Sequence, residues 1–166
     1  QWDAMAQTLG QIVTVSKDPT VQADTYVRMG KLSGGHLGIP EQSKGYYQKA
    51  LDISPRNLGA IEALDEIYRE EQNWKKLVDI LQRKVEGAEE DDAKIEALIQ
   101  LAEVYELRTA QPDEAIATYG QVRAIEEMEM RSLKGLERLY AQTERWQELF
   151  SILEVQFEVV RTEKER

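Results

Sequence analysis

The stretch Ile61-Glu-Ala-Leu64-Asp-Glu-Ile67-Tyr68-Arg-Glu-Glu-Gln-Asn-Trp74-Lys-Lys-Leu77-Val-Asp-Ile80-Leu81 decides how the chain folds. Its apolar residues recur at three and four positions, break at the polar Glu-Gln-Asn, and resume with the same spacing, which is the pattern of two helices joined by an elbow. Moving 72 residues on from Trp74-Lys-Lys-Leu-Val-Asp-Ile-Leu81 gives Trp146-Gln-Glu-Leu-Phe-Ser-Ile-Leu153, and moving 72 back gives Trp2-Asp-Ala-Met-Ala-Gln-Thr-Leu9. A phrase repeated three times in 166 residues makes the chain an array of like units, because repeats that bury their apolar faces only on neighbours need that regularity.

Working outward, Asp18-Pro19 opens a helix with a capping residue and a proline at the first helical position, carrying Val21, Tyr26, Met29 and Gly30 on its apolar side. Gly38-Ile39-Pro40 breaks it, and Ser54-Pro55-Arg56-Asn57 ends the next, which runs from Pro40 to Ile53. After the Ile61–Leu81 pair, residues 87–92 form a loop, Ile95 to Tyr105 an outgoing stripe, Gln111-Pro112 an elbow, and Ala115 to Val122 the return. Leu133 to Tyr140 and Trp146 to Leu153 make the last pair. No useful β-like alternation occurs, so the class is all-α. Ser33, Tyr68, Tyr105 and Tyr140 mark equivalent places at the elbows, 35, 37 and 35 residues apart. The unit is thus a hairpin of about 36 residues, and 72 is two unlike hairpins, one turning through proline and one into tryptophan.

This predicts nine helices: a return helix over 1–17, hairpins over 18–56, 57–89, 90–126 and 127–161, and the start of a further repeat over 162–166, where Thr162 and Glu165 have capping-box spacing. A chain that begins at Gln1 with the phrase open at both ends reads as a piece of a longer protein. The tryptophans and tyrosines, each at a repeat-equivalent place, are expected in the core.

The residues resemble the tetratricopeptide-repeat family. Tyr26-x2-Met29-Gly30, Leu98-x2-Leu101-Ala102-x2-Tyr105 and Tyr46-Tyr-Gln-Lys-Ala50-Leu-Asp-Ile-Ser-Pro55 follow its signature, and Ile61-x2-Leu64 and Leu133-x2-Leu136 follow it in part. The likeness covers essentially the whole chain, with an alternation similar to that of long bacterial arrays. It departs where Asp65 and Glu137 replace a small residue, and where Leu77 and Leu149 do so in the return helix. The resemblance implies an α-solenoid of stacked antiparallel hairpins in a right-handed superhelix, without catalysis, binding partner segments in its concave groove. The Lys/Asn/Arg set with which some members grip a C-terminal carboxylate is missing, since Val27, Ala63 and Glu96 stand in its place.

Composition points the same way. One histidine and no cysteine leave no thiol nucleophile, no His-paired zinc site and no cofactor motif to assemble. Gly34-Gly35-His36-Leu37-Gly38 reads as a helix end, and Glu89-Glu-Asp-Asp92 as a solvated turn without the ligand spacing of a calcium loop. A net charge of -10 disfavours nucleic acid, which requires clustered cations. No run approaches the roughly 18 apolar residues of a membrane span, so the chain reads as soluble, in the cytoplasm before the cell envelope. The charge is uneven: residues 57–126 hold 17 acidic and 8 basic side chains, against 5 and 6 over residues 1–56.

The groove candidates on the outgoing helices are Arg28, Lys31, Glu62, Glu66, Arg69, Gln100, Glu103, Glu106, Arg131, Lys134 and Arg138. One reading is an acidic strip, Glu62, Glu66, Glu103 and Glu106, that takes a peptide with a basic segment. The other is a ladder of ion pairs between neighbouring repeats, such as Lys31–Glu66 or Glu103–Arg138. At the level of the whole protein the alternatives are a scaffold for protein partners, a module that forms homo-oligomers, and a helical regulatory segment of an enzyme.

Overall fold

The computed structural model describes residues 2–164, with side chains for residues 2 and 4–161. Among them are nine helices: α1 Trp2–Val15, α2 Pro19–Gly35, α3 Pro40–Ile53, α4 Leu58–Glu70, α5 Trp74–Gly87, α6 Asp91–Leu107, α7 Pro112–Ile125, α8 Met130–Gln142 and α9 Trp146–Lys164. They fall into two compact units, Gln1–Gly87 and Ala88–Arg166. Within the first, α1 packs on α2, α2 on α3, α3 on α4 and α4 on α5. Within the second, α6 packs on α7, α7 on α8 and α8 on α9. Each unit is therefore a stack of antiparallel hairpins of the α-solenoid class, and outgoing helices also touch one another, α2 with α4 and α6 with α8.

The 72-residue echo extends to the backbone. Gly38 and Ala110 adopt positive φ, as do Gln72 and Glu144, and each of these pairs is one period apart. At the proline elbows the amides of Ile39 and Gln111 donate to the carbonyls of Ser33 and Tyr105. At the tryptophan elbows those of Asn73 and Arg145 donate to Tyr68 and Tyr140, all four at 2.9 Å. The four residues that mark the register in sequence thus supply the carbonyl that ties each outgoing helix to its return, which satisfies groups a helix end otherwise leaves open. Capping repeats too. Asn57 Oδ1 accepts from the Ala60 amide at 3.0 Å and Glu129 Oε2 from the Ser132 amide at 2.6 Å, while Asp18 accepts from Thr20 at 2.9 Å. Glu90 is the N-cap of α6 without a side-chain bond, so the acidic loop there is shorter than the sequence suggests.

The core is apolar and repeats. Leu64 and Leu136 are buried, as are Ile61 and Leu133, and Tyr47 and Tyr119. Tyr47 lies over Gly30, where a Cβ would come within 2.5 Å of its ring, and Tyr119 lies equally close to Gly135. The departures from consensus are accommodated. Asp65, buried, forms an ion pair with Arg69 on its own helix and meets Lys84 of α5 at 3.5 Å. One period later Glu137 accepts from Gln156 of α9 at 2.9 Å.

The expectation that the aromatic residues lie in the core is corrected in part. The tryptophans are not core residues: Trp2 is 43% and Trp146 62% exposed, and Trp74 is half-buried. Each opens its return helix, so the indole projects at the elbow end of the hairpin instead of between helices. Trp2 instead stacks on His36, with ring centroids 3.9 Å apart and planes 5° from parallel. Of the tyrosines, Tyr47, Tyr68, Tyr105 and Tyr119 are buried while Tyr26, Tyr46 and Tyr140 are half-buried. Met5 and Ile12 are exposed. Helix α9 runs to Lys164 and includes Thr162; Glu165, the other half of the proposed capping box, lies outside the described residues.

Candidate partner-binding site

In the first unit the outgoing helices α2 and α4 expose Arg28 and Lys31, and Glu62, Glu66 and Arg69, respectively. Lys31 and Glu66 form no ion pair among the described residues, and Arg69 turns back to Asp65 on its own helix. Glu66 instead stands at the edge of a cleft of about 410 Å³ between the α2–α3 elbow and α4. Tyr47, Ala63, Ile67 and Pro40 give the cleft an apolar lining, and Glu41, Glu66, Glu70 and Glu71 line it with carboxylates. Lys44 bridges two of these, at 2.6 Å from Glu71 and 3.0 Å from Glu41. Hydrogen bonds to Glu71 first and then Glu41 raise the pKa of its ammonium. Glu66 and Glu70 have no cation of their own among the described residues.

In the second unit the same kind of face neutralises itself. Arg131 of α8 donates from Nη1 to Glu96 at 2.8 Å and from Nε to Glu129 at 3.1 Å, and Gln100 Nε2 reaches Glu96 at 3.2 Å. Arg138 grips Glu106 with two hydrogen bonds, Nε to Oε1 at 2.9 Å and Nη2 to Oε2 at 3.0 Å. That fork is the favourable geometry for a guanidinium and a carboxylate. Hydrogen bonding to Glu106 raises the Arg138 pKa, and bonds to Glu96 and Glu129 raise that of Arg131. The pair expected between Glu103 and Arg138 is thus made by Glu106, one turn further along α6, where the Tyr119 hydroxyl also donates at 3.2 Å. Glu106 is correspondingly withdrawn, its side chain 8% exposed, and it does not add free negative charge to a binding strip. Glu103 and Lys134 remain exposed without an ion pair among the described residues.

Burial, and then the nearby Glu106 carboxylate, push the Tyr119 hydroxyl well above its usual range. The folded protein therefore keeps a proton that the unfolded chain releases above about pH 10, so stability from this group is complete below that pH and is lost as pH rises above it. Tyr119→Phe should flatten the alkaline decline in thermal midpoint, measured by circular dichroism between about pH 9 and 11.

Of the residues lining this cleft, Glu66 alone is among the groove candidates read from the sequence. Glu41 and Ser43 come from the return helix α3 and Glu71 from the elbow, positions that a register based on outgoing helices does not consider, and Glu70 is the last residue of α4. Among the described residues no group of acidic or histidine side chains is placed to hold a metal ion, and no helix is long and apolar enough to cross a membrane.

The comparisons with known proteins follow the same geometry. Residues 60–95 match the family model described as tetratricopeptide repeat, a span that opens in α4, takes in all of α5 and enters α6. A crystal structure of MamA superposes with a TM-score of 0.61 at 17% identity, over 99% of this chain and 92% of that one. MamA residues 41 to the end from Desulfovibrio magneticus RS-1 give 0.54 at 17% identity, over 99% and 87%. A tetratricopeptide repeat protein from Parabacteroides merdae ATCC 43184 gives 0.57 at 16% identity, over 96% and 61%. No curated protein sequence is recognisably similar. At such identities the likeness is one of fold: the chain shares the stacked-hairpin fold of these proteins, and residues 60–95 match the tetratricopeptide-repeat model directly.

Proposed function

We propose that this chain is a protein-interaction module that takes a basic segment of a partner polypeptide at the α2–α4 face of its first unit. The tetratricopeptide-repeat fold supports a scaffold role in general. The observation that carries the specific reading is the cleft beside Glu66: its apolar lining suits the methylene stem of a lysine or arginine, and Glu66 and Glu70 supply carboxylates for the cationic head. Glu62 extends the negative charge along α4, while Arg28 and Lys31 across on α2 bound it and disfavour an all-basic ligand. In the second unit, Gln100, Glu106, Arg131 and Arg138 act chiefly as an internal ladder, with Glu103 and Lys134 left as candidate contacts.

Fluorescence anisotropy with a labelled peptide carrying two or three lysines among alanines tests this. Glu66→Gln with Glu70→Gln should weaken binding roughly fivefold and flatten its salt dependence, because exposed charge pairs contribute up to about 1 kcal/mol each and are screened by salt. Helicity should stay unchanged, since Gln and Glu have similar helix propensity. Equal binding by the parent and the double variant would remove the cleft as the site.

A further inference from the structure

In the first unit, helices α3 and α5 both pack on α4 and not on each other. A cleft of about 310 Å³ lies between the two return helices, with α4 as its floor. It shares no lining residue with the cleft beside Glu66, because Leu64 and Tyr68 stand on one side of α4 and Ala63, Glu66 and Glu70 on another.

The lining is apolar at the bottom and charged along both walls. Leu51, Leu64 and Ile80, all buried, form the bottom. Tyr68, 3% exposed, closes it at the elbow end, where the tyrosine hydroxyl accepts from Gln48 Nε2 at 2.9 Å. The hydroxyl's own proton meets no acceptor among the described residues. Lys76 holds its ammonium 5.5 Å from the centroid of the same ring. One helical turn away from Gln48 and Lys76, Asp52 on α3 and Asp79 on α5 line the cleft from opposite walls, and Arg83 follows one turn after Asp79. Asp52, Lys76, Asp79 and Arg83 form no ion pair among the described residues, although Asp79 and Arg83 have the spacing at which such pairs form on a helix.

The 72-residue echo separates what stacks the helices from what does not. Leu64, Tyr68 and Ile80 recur as Leu136, Tyr140 and Ile152, whereas Gln48, Asp52, Lys76, Asp79 and Arg83 become Gly120, Ala124, Glu148, Ser151 and Val155. The hairpin architecture therefore needs the apolar residues and not the charged walls, which belong to this cleft alone.

The arrangement sorts by charge. Hydrogen-bond donors gather at the elbow end, two carboxylates stand one turn away, and Arg83 brings the four charges to zero, which disfavours a ligand of net charge. We propose that the cleft binds a small zwitterion, a short ω-amino acid whose carboxylate meets Lys76 and the Tyr68 hydroxyl and whose ammonium sits between Asp52 and Asp79. Three methylenes hold the two charges of such a molecule apart by roughly 5 Å, close to one helical turn, and would lie on Leu51, Leu64 and Ile80. A volume of about 310 Å³ is at the small end of ligand sites, in keeping with a ligand of few atoms.

The test titrates the isotope-labelled whole chain with 4-aminobutyrate at about pH 7, where both of its ends are charged, and follows the backbone amides by NMR. Saturable shifts confined to α3, α5 and the α4 residues at Leu64 and Tyr68 are expected, with a Kd of about a millimolar, as so few ligand atoms allow. Butyrate and butylamine, which each keep one charged end, should bind at least about fivefold more weakly. Asp52→Asn with Asp79→Asn should weaken 4-aminobutyrate about tenfold and leave butyrate unchanged, whereas Lys76→Gln should weaken both. These three residues are exposed, so the rest of the amide spectrum should stay in place in both variants. The proposal is overturned if no saturable shifts occur, if butylamine binds as well as 4-aminobutyrate, or if the Asp52→Asn, Asp79→Asn variant binds 4-aminobutyrate like the parent. Equal shifts at Gly120, Glu148 and Val155 would overturn it too, since binding would then not depend on the charged walls.

Discussion

Leu64→Ala and Leu136→Ala are each expected to cost about 2–5 kcal/mol, the range for truncating a fully buried leucine that leaves a cavity. The two residues stand one 72-residue period apart, on α4 and α8, and both are 1% exposed. Their surroundings repeat as well, with Ile61 and Leu133 three positions before them, both at 0%. Urea denaturation followed by far-UV circular dichroism measures the two losses. They should agree to within about a factor of two, the ordinary context scatter for one chemistry at different sites. A cost below about 1 kcal/mol for either would be that of a surface change, and would mean that the repeat-equivalent core is not formed there.

Leu81→Ala and Leu153→Ala form the opposite kind of pair. They too are 72 residues apart, at the close of the same Trp-x2-Leu-x3-Leu phrase, yet Leu81 is fully buried and Leu153 is 43% exposed. Leu81→Ala should cost about 2–5 kcal/mol. Leu153→Ala should cost less than about 1 kcal/mol, because much of its side chain is already in water. If Leu153→Ala proved as costly as Leu81→Ala, the α9 face would be covered in the isolated chain.

That contrast shows where sequence reading reaches its limit. Period and spacing located the helices closely, since caps, prolines and apolar spacing are local properties. The proline at Pro40 and the asparagine at Asn57 mark helix starts for reasons that need no tertiary information. Burial is not local. Trp74 and Trp146 are equivalent in sequence and differ in exposure, and only the packing of neighbouring helices distinguishes them. The ion pairs were legible as a type and not as partners: a spacing of 35 fits Glu96 with Arg131, but Arg138 reaches Glu106 at a spacing of 32 because its long side chain spans a helical turn. The cleft near Glu66 was only partly legible, because Glu41 sits on the return helix, Glu71 at the elbow and Glu70 at the very end of α4. The stacking of Trp2 on His36 could not be read at all, as nothing in either residue's local pattern points to the other.

Residue-resolved amide hydrogen exchange tests the hairpin account most directly. It should show protection over α1 to α9 broken by fast exchange at Gly38, Arg56, residues 88–90, Ala110 and residues 127–128, whose amides lie outside the helices and donate to no backbone carbonyl. The amides of Ile39, Asn73, Gln111 and Arg145 should be slower than those unbonded loop amides, because each donates to the carbonyl of the preceding outgoing helix. Protection running unbroken through residues 88–90 and 127–128, or the four elbow amides exchanging as fast as those loops, would contradict the repeat architecture on which the rest of the account stands.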